Sequence, residues 1–282
     1  QNYHNAPWRL GLGYAITLSV CTAIFFYPRL YILGLLALSA AFVAHLAFNS
    51  RNLALTTLFT LAAATISMHF GTKNTAKPTD RLILRALIYG SAAVLCLNLA
   101  LRPLVELSIL PKAMQSKMEM QLQNPYGIVA AARPDVATAI HGIAKRPLSG
   151  FGSSTVDPEV LEFFARVSSA NYIHFGNLDD AIYQNTLNRD WSAGTPSHSL
   201  IFGAWVDAGI LAAISWIAVL ILATKLLVRV LRLQSNLTPL TVFVSLSLIW
   251  DVLFSPGPVR LSVALSLITL LFVHRELNHR SM

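Results

Sequence analysis

The sequence predicts an all-α polytopic membrane protein, and three observations predict it. Of 282 residues, 55% are hydrophobic and only 12% are charged, which is far from the composition of a soluble globular domain. Seven apolar runs can be drawn along the chain, most of them close to the ~20 residues a helix needs to cross a bilayer. Lysines and arginines gather between alternate runs, the asymmetry that orients membrane proteins.

Four runs come first: Leu10–Tyr27, Leu30–Phe48, Leu53–Gly71 and Leu82–Leu101. Three follow: Leu200–Val228, Leu237–Phe254 and Leu261–Val273, the last being the shortest. Between them lies the polar segment Arg102–Ser199, in which nothing is long and apolar enough to span. The expected division is therefore a four-span region over 1–101, a loop domain over 102–199 and a three-span region over 200–282. The two cysteines, Cys21 and Cys96, fall inside apolar runs, so no disulfide framework is implied. The chain begins with Gln and carries no signal peptide, and its N-terminus is expected to be cropped.

Orientation follows from charge. One side carries Arg29, Lys73, Lys77, Arg81, Arg85, Lys225, Arg229, Arg232, Arg275 and Arg280 against only Asp80 and Glu276. The other side, long segment included, is nearly balanced, with eleven basic and ten acidic residues. The short basic loops should be cytoplasmic and the long segment outside, in the periplasm of a bacterial inner membrane. Basic residues beside membrane spans are drawn to anionic headgroups. With no accompanying nucleic-acid motif, the net charge of +8 is no argument for nucleic acid binding.

The loop should be mainly helical. Pro134–Lys145 has proline at its first position and Asp135 in its first turn. Asp157 is placed to cap a second helix beginning at Pro158, with Leu161, Phe164 and Val167 as its apolar stripe. The Phe163–Phe164 pair is expected to pack against the loop's own core. Gly150-Phe151-Gly152 reads as a tight turn.

Loop and membrane region meet at Thr195–Ala213, TPSHSLIFGAWVDAGILAA. Ser197 is expected to cap the helix, Pro196 blocks an earlier start, and His198 stands at the junction. The positive end of a helix dipole disfavours imidazolium, and neutral imidazole is the form that accepts a proton near pH 7. Spacing alone favours a capping or interfacial histidine over a catalytic one.

Two segments carry a family resemblance. His198-Ser199, followed nine residues later by Gly209-Ile210-Leu211, resembles the His-(Asn/Ser/Gln)-x9-Gly-x-x-Gly signature of the O-antigen ligase and polymerase superfamily. Asp207 stands where that family usually has Glu, and Ala212 replaces its final Gly, Thr or Tyr. Arg146-Pro-Leu-Ser-Gly-Phe-Gly152 resembles the family's Pro-x-x-Gly-x-Gly segment.

The resemblance covers most of the chain and implies a GT-C-like glycosyltransferase with one large periplasmic loop followed by three spans. Since the family usually has more spans ahead of the loop, about five would be missing here, giving near twelve in the full protein. The implied donor is an undecaprenyl-pyrophosphate-linked glycan and the implied acceptor a hydroxyl of lipid A-core. No cofactor or metal is implied. His198 would be the catalytic base. Arg102 matches an arginine at the corresponding span end, and Arg133 matches one just ahead of the loop helix. That helix lacks the family's early aromatic, and the spacing from Arg133 to Pro147 is about one residue short. An O-antigen polymerase or a protein O-oligosaccharyltransferase would need the same base beside the same kind of donor. A transporter or lipid-binding membrane protein, with His198 merely a cap, is the rival from another class.

The remaining polar residues have two readings each. Arg102 is either an interfacial arginine reaching for headgroups or a guanidinium fork for phosphate. Arg260 either helps hold lipid phosphate or pairs with Asp251. Asp207 and Asp251 lie inside apolar runs, where a charge is costly and marks function by default. Asp207 is nevertheless read as a partner to another span, because it faces away from His198. Ala204, Ala208 and Ala212, with Gly209, suggest close helix packing. His45 and His69 lack spaced ligand partners, and His141 and His174, near Asp179 and Asp180, make at most a faint metal pattern. No Walker loop, nucleophile elbow or Asp-x-Asp pair is present.

Overall fold

The computed structural model describes residues 8–48, 50–71, 122–127, 130–131, 133–153, 155–172, 178–191, 194, 197, 199–233, 235–254 and 261–279. Its elements are helical: α1 (Gly13–Phe26), α2 (Tyr31–Ala47), α3 (Arg51–Gly71), α4 (Pro134–Lys145), α5 (Pro158–Ser169), α6 (Leu178–Leu187), α7 (Leu200–Ala208), α8 (Ile210–Leu233), α9 (Thr238–Phe254) and α10 (Leu261–His279). No strand occurs among the described residues. The run Leu82–Leu101 lies outside them.

Two stretches are long and apolar enough to cross a membrane, Pro28–Ala47 with 20 residues and Ile210–Leu231 with 22. Only 22% and 17% of their apolar windows are buried, so they present apolar surface outward where the core helix of a soluble protein would hide it. Gly13–Phe26, Asn52–Met68 and Thr238–Phe254 are apolar but shorter.

The chain divides into two compact units, one of residues 1–83, 218–252 and 258–282, the other of 84–217 and 253–257. In the first, α9 is the central helix, with twelve of its 17 residues buried, including Leu240, Phe243, Val244, Leu248 and Val252. Tyr14 of α1 lies against Phe243 with ring centroids 5.1 Å apart. Ala223, Leu226 and Val230 bury one face of the second half of α8, the three-and-four spacing of a helix stripe. Gly34 leaves the room that Ile24 fills between α1 and α2.

Hydrogen bonds among polar groups of this unit gather toward its two ends, while the buried hydroxyls of Thr241, Ser245 and Ser247 on α9 find no partner among the described residues. At one end Tyr14 Oη and Ser266 Oγ are 2.6 Å apart, and Ser262 donates to Asp251 Oδ2 at 2.9 Å. Nearby, His45 of α2 is fully buried and takes part in a chain of three hydrogen bonds. Trp8 Nε1 donates to His45 Nδ1 at 3.0 Å, which leaves the ring hydrogen on Nε2 to be given to Thr17 Oγ1, 2.9 Å away. Thr17 in turn donates to the Gly13 carbonyl at 2.9 Å. His45 is therefore a satisfied neutral core histidine. At the opposite end Arg229 donates to Asn278 Oδ1 and to the Leu277 carbonyl, both at 2.8 Å, satisfying the C-terminal turn of α10. Phe25 meets Phe272 there, so Arg29, Arg229 and Arg275 gather at one end.

The second unit is built differently. Asp157 caps α5 by accepting from Glu159 N and Val160 N at 3.0 and 3.1 Å, with Pro158 at the first position. Pro134–Lys145 forms as the sequence predicts. The buried residues of α5 are Val160, Ala165, Val167 and Ser169, with Leu161 and Phe164 only half-buried. The expected stripe is thus rotated, because the small Ala139 and Gly142 of α4 let that helix approach Val160 closely. The aromatic pair packs within the unit: Phe163 stacks on His141 at 4.3 Å, and Phe164 meets Trp191 edge-on at 5.6 Å. Buried Asn124 donates to the Val167 carbonyl and to Asn171 Oδ1, and Asn171 donates to the Ala131 carbonyl. The segment before α4 is thereby tied to α5.

Candidate functional site

The apolar run Leu200–Val228, expected as one helix, is interrupted. Gly209 has φ 76° and ψ −166° and separates α7 from α8. That region of backbone space is essentially reserved for glycine. The reason for the break is non-local: the Pro147–Gly152 turn packs its main chain directly onto residues 205–209. Phe151 N donates to the Val206 carbonyl and Gly152 N to the Asp207 carbonyl, each at 2.8 Å. Trp205 Nε1 donates back to the Pro147 carbonyl at 2.8 Å. A Cβ at position 209 would collide with the Leu148 carbonyl, and one at 150 would lie 2.6 Å from the Asp207 carbonyl carbon and oxygen. Glycine is required on both sides because two backbones meet with no side chain between them.

The two segments singled out in the sequence are thus physically one structure, a clamp of main chain on main chain. Gly209 marks a break and a close approach, where the sequence suggests helix packing within a continuous span. Asp207 contributes its carbonyl oxygen to the clamp. Trp205 is the participant that sequence reasoning missed. Its signal is a lone indole in an apolar run, which by itself points to no partner.

The helix start also differs from expectation. Ser199 caps α7 by accepting from Phe202 N at 3.3 Å. Ser197 instead folds its hydroxyl onto the Ser199 main chain, donating to the Ser199 carbonyl at 2.8 Å and accepting from Ser199 N at 3.3 Å. Both serines suit a cap, and Ser197 is diverted by this local turn. In sequence, His198 then directly precedes the capping residue. His198 itself lies outside the described residues, as do Arg102 and Arg260.

Arg133 is described. It occupies the residue just before α4, with φ −142° and ψ 69°, makes no side-chain cap, and is exposed. Its guanidinium stands at the start of a helix whose other end runs into the clamp through Lys145 and Arg146. The Arg146 guanidinium lies 4.9 Å from the centre of the Phe151 ring, a cation–π contact. Lys145 hydrogen-bonds Glu159 and lies 3.7 Å from Asp157. The Glu159 hydrogen bond holds the Lys145 ammonium above the ordinary lysine range, with the Glu159 and Asp157 charges adding to it. These contacts brace α4 against the start of α5.

Asp251 accepts from Ser262 within the first unit, while the alternative partner Arg260 is among the residues not described. His174 and the side chain of His69 are likewise not described. Among the described residues no group of three or more His, Cys, Asp or Glu side chains is placed to hold a metal ion. No protein-family model matches the chain, and neither a curated protein nor a solved structure matches it.

Proposed function

We propose that the chain is a multi-pass inner-membrane glycosyltransferase resembling O-antigen ligase, with its active site facing the periplasm. Its donor is an undecaprenyl-pyrophosphate-linked glycan and its acceptor a hydroxyl of lipid A-core. The observation that carries this reading is the clamp. The two segments bearing the family resemblance, far apart in sequence, are bonded to each other at the far end of the helix that follows His198.

In this mechanism His198 takes the proton from the acceptor hydroxyl as its oxygen attacks the anomeric carbon. The bond from that carbon to the pyrophosphate oxygen breaks on the opposite face, so the configuration inverts. Arg102 and Arg133 hold the departing pyrophosphate and stabilise the charge it gains, and Arg260 holds lipid phosphate. The scissile bond is activated by its own leaving group, so the scheme calls on neither nucleotide nor metal. The seven apolar runs are read as spans of a GT-C-like membrane region, with the short basic loops in the cytoplasm.

The test is turnover by the full chain in proteoliposomes carrying the lipid-linked donor, with lipid A-core, a repeat-unit glycan or a serine-containing peptide offered in turn as acceptor. The lipid A-core acceptor should be used. Transfer only to a glycan or to peptide would reassign the protein to polymerase or protein glycosylation. His198→Asn keeps a hydrogen-bonding side chain but loses the proton acceptor, so turnover should fall on the order of 10²–10⁴-fold. A folded His198→Asn protein of full activity refutes the base assignment.

A further inference from the structure

The geometry points to a membrane-seated clamp: the Pro147–Gly152 turn rests on the bilayer surface, with Leu148 inserted among the lipids. Leu148 is 75% exposed although it lies at the centre of the clamp, its carbonyl packed against Gly209. Two residues beyond Gly209, Leu211 is 74% exposed, and Ile214, on the same helical face, is also exposed. Apolar side chains left outward on both partners of one backbone joint make a single apolar surface, not scattered exceptions.

The occupant follows from continuity. Ile210 opens the apolar stretch Ile210–Leu231, whose 22 residues at ~1.5 Å each match the ~30 Å of a bilayer's hydrocarbon core. A helix of that length placed across a bilayer puts Ile210 at one boundary of the hydrocarbon. The turn is hydrogen-bonded to residues 206 and 207, so it stands at the same depth. The clamp's chemistry suits that depth. Trp205 offers an indole with its N–H engaged by the Pro147 carbonyl, and tryptophan favours the interface. Arg146 stands two residues before Leu148 in sequence, where anionic headgroups attract basic side chains. Seating the turn on lipid would hold the loop unit, and with it Arg133 at the far end of α4, at a fixed height over the membrane that carries the lipid-linked donor. The inference rests on the reading that α8 crosses a bilayer, and its test separates the two.

A benzophenone amino acid is placed at 148, at Ile217 further along α8, or at exposed Gln184 on α6, each in the otherwise unaltered full chain. The protein is reconstituted in vesicles of phosphatidylethanolamine and phosphatidylglycerol, irradiated, and analysed by mass spectrometry for lipid adducts. Position 148 should yield lipid adducts as 217 does, and 184 should yield none. If 217 labels lipid while 148 behaves as 184, the seated turn is wrong and the span stands. An adduct from 148 to another part of the chain in place of lipid overturns it equally, since protein would then cover Leu148. Absence of lipid adducts at 217 overturns both.

Discussion

Two helices, α2 of the first unit and α5 of the second, place their polar and apolar groups by opposite rules. In the first unit, Leu33, Leu36 and Val43 of α2 point outward at more than 60% exposure, while Thr17, His45, Thr241, Ser245 and Asp251 are buried. In the second, α5 hides Val160, Ala165 and Val167 and turns Glu159 and Arg166 outward. Arg166 pairs there with Glu162 one turn away. An apolar exterior costs nothing where the surroundings are hydrocarbon, and interior polar groups then serve as contacts between helices. In water the same exterior is unfavourable, and burial of apolar surface must organise the fold. The contrast is the one expected if α2 meets hydrocarbon and α5 meets water.

The sharpest way to break this comparison is to put the same charge on an outward apolar residue of each unit. Leu36→Asp should cost about 2.5–3.5 kcal/mol, the penalty for aspartate at the centre of a membrane helix, and should deplete the protein from the membrane fraction. Ile140→Asp, on an exposed position of α4, should change stability by no more than about 0.5 kcal/mol, as surface substitutions do. Equal losses at the two positions would mean that both units face the same solvent.

Next in size is Gly209→Ala. The glycine-only backbone costs an ordinary residue about 1–3 kcal/mol, and the added methyl also drives the Leu148 carbonyl away. Protease sensitivity of the Leu148 turn should rise in detergent-solubilised protein, while the first unit keeps its melting temperature. An unchanged digestion pattern would place the joint elsewhere.

The smallest effect separates the units by pH. The Lys145 ammonium is held above its ordinary range, so its contribution to the second unit is complete below that range and is lost as pH climbs through the raised value. Melting in strongly alkaline buffer should therefore weaken the second unit slightly, and Glu159→Gln should remove that dependence. As the pair is exposed, salt should shrink it as well.

How much of this was legible in the sequence depends on how local the cause is. Pro134 and the Asp157–Pro158 pair place two helix starts correctly, because a cap and a fixed φ act within one turn. The loss of an N–H at proline needs no partner elsewhere. The break at Gly209 was illegible, since an apolar run with one glycine is also an ordinary helix, and what forces the break is a carbonyl about sixty residues away that can approach only glycine. The choice of Ser199 over Ser197 was underdetermined, as both carry the same hydroxyl. The last run was expected to end at Val273, where hydrophobicity stops, yet α10 continues to His279 with its last turn held by Arg229. For the site, Arg133 was placed at a helix start from Pro134 alone. The roles of His198, Arg102 and Arg260 rest on resemblance.

The clamp also sets an order in time. Its two halves, the turn ending at Gly152 and the carbonyls of Val206 and Asp207, are separated by about 55 residues, and at ~5–20 residues per second the second half leaves the ribosome several seconds after the first. During that interval the turn's amides at 151 and 152 have no carbonyl to meet. α4 and α5, whose caps and ion pairs lie within their own neighbourhood, can form at once. Closing the remaining loop then costs only a logarithm of its length, so the clamp itself is completed by the arrival of α7, which docks onto a loop already folded to receive it.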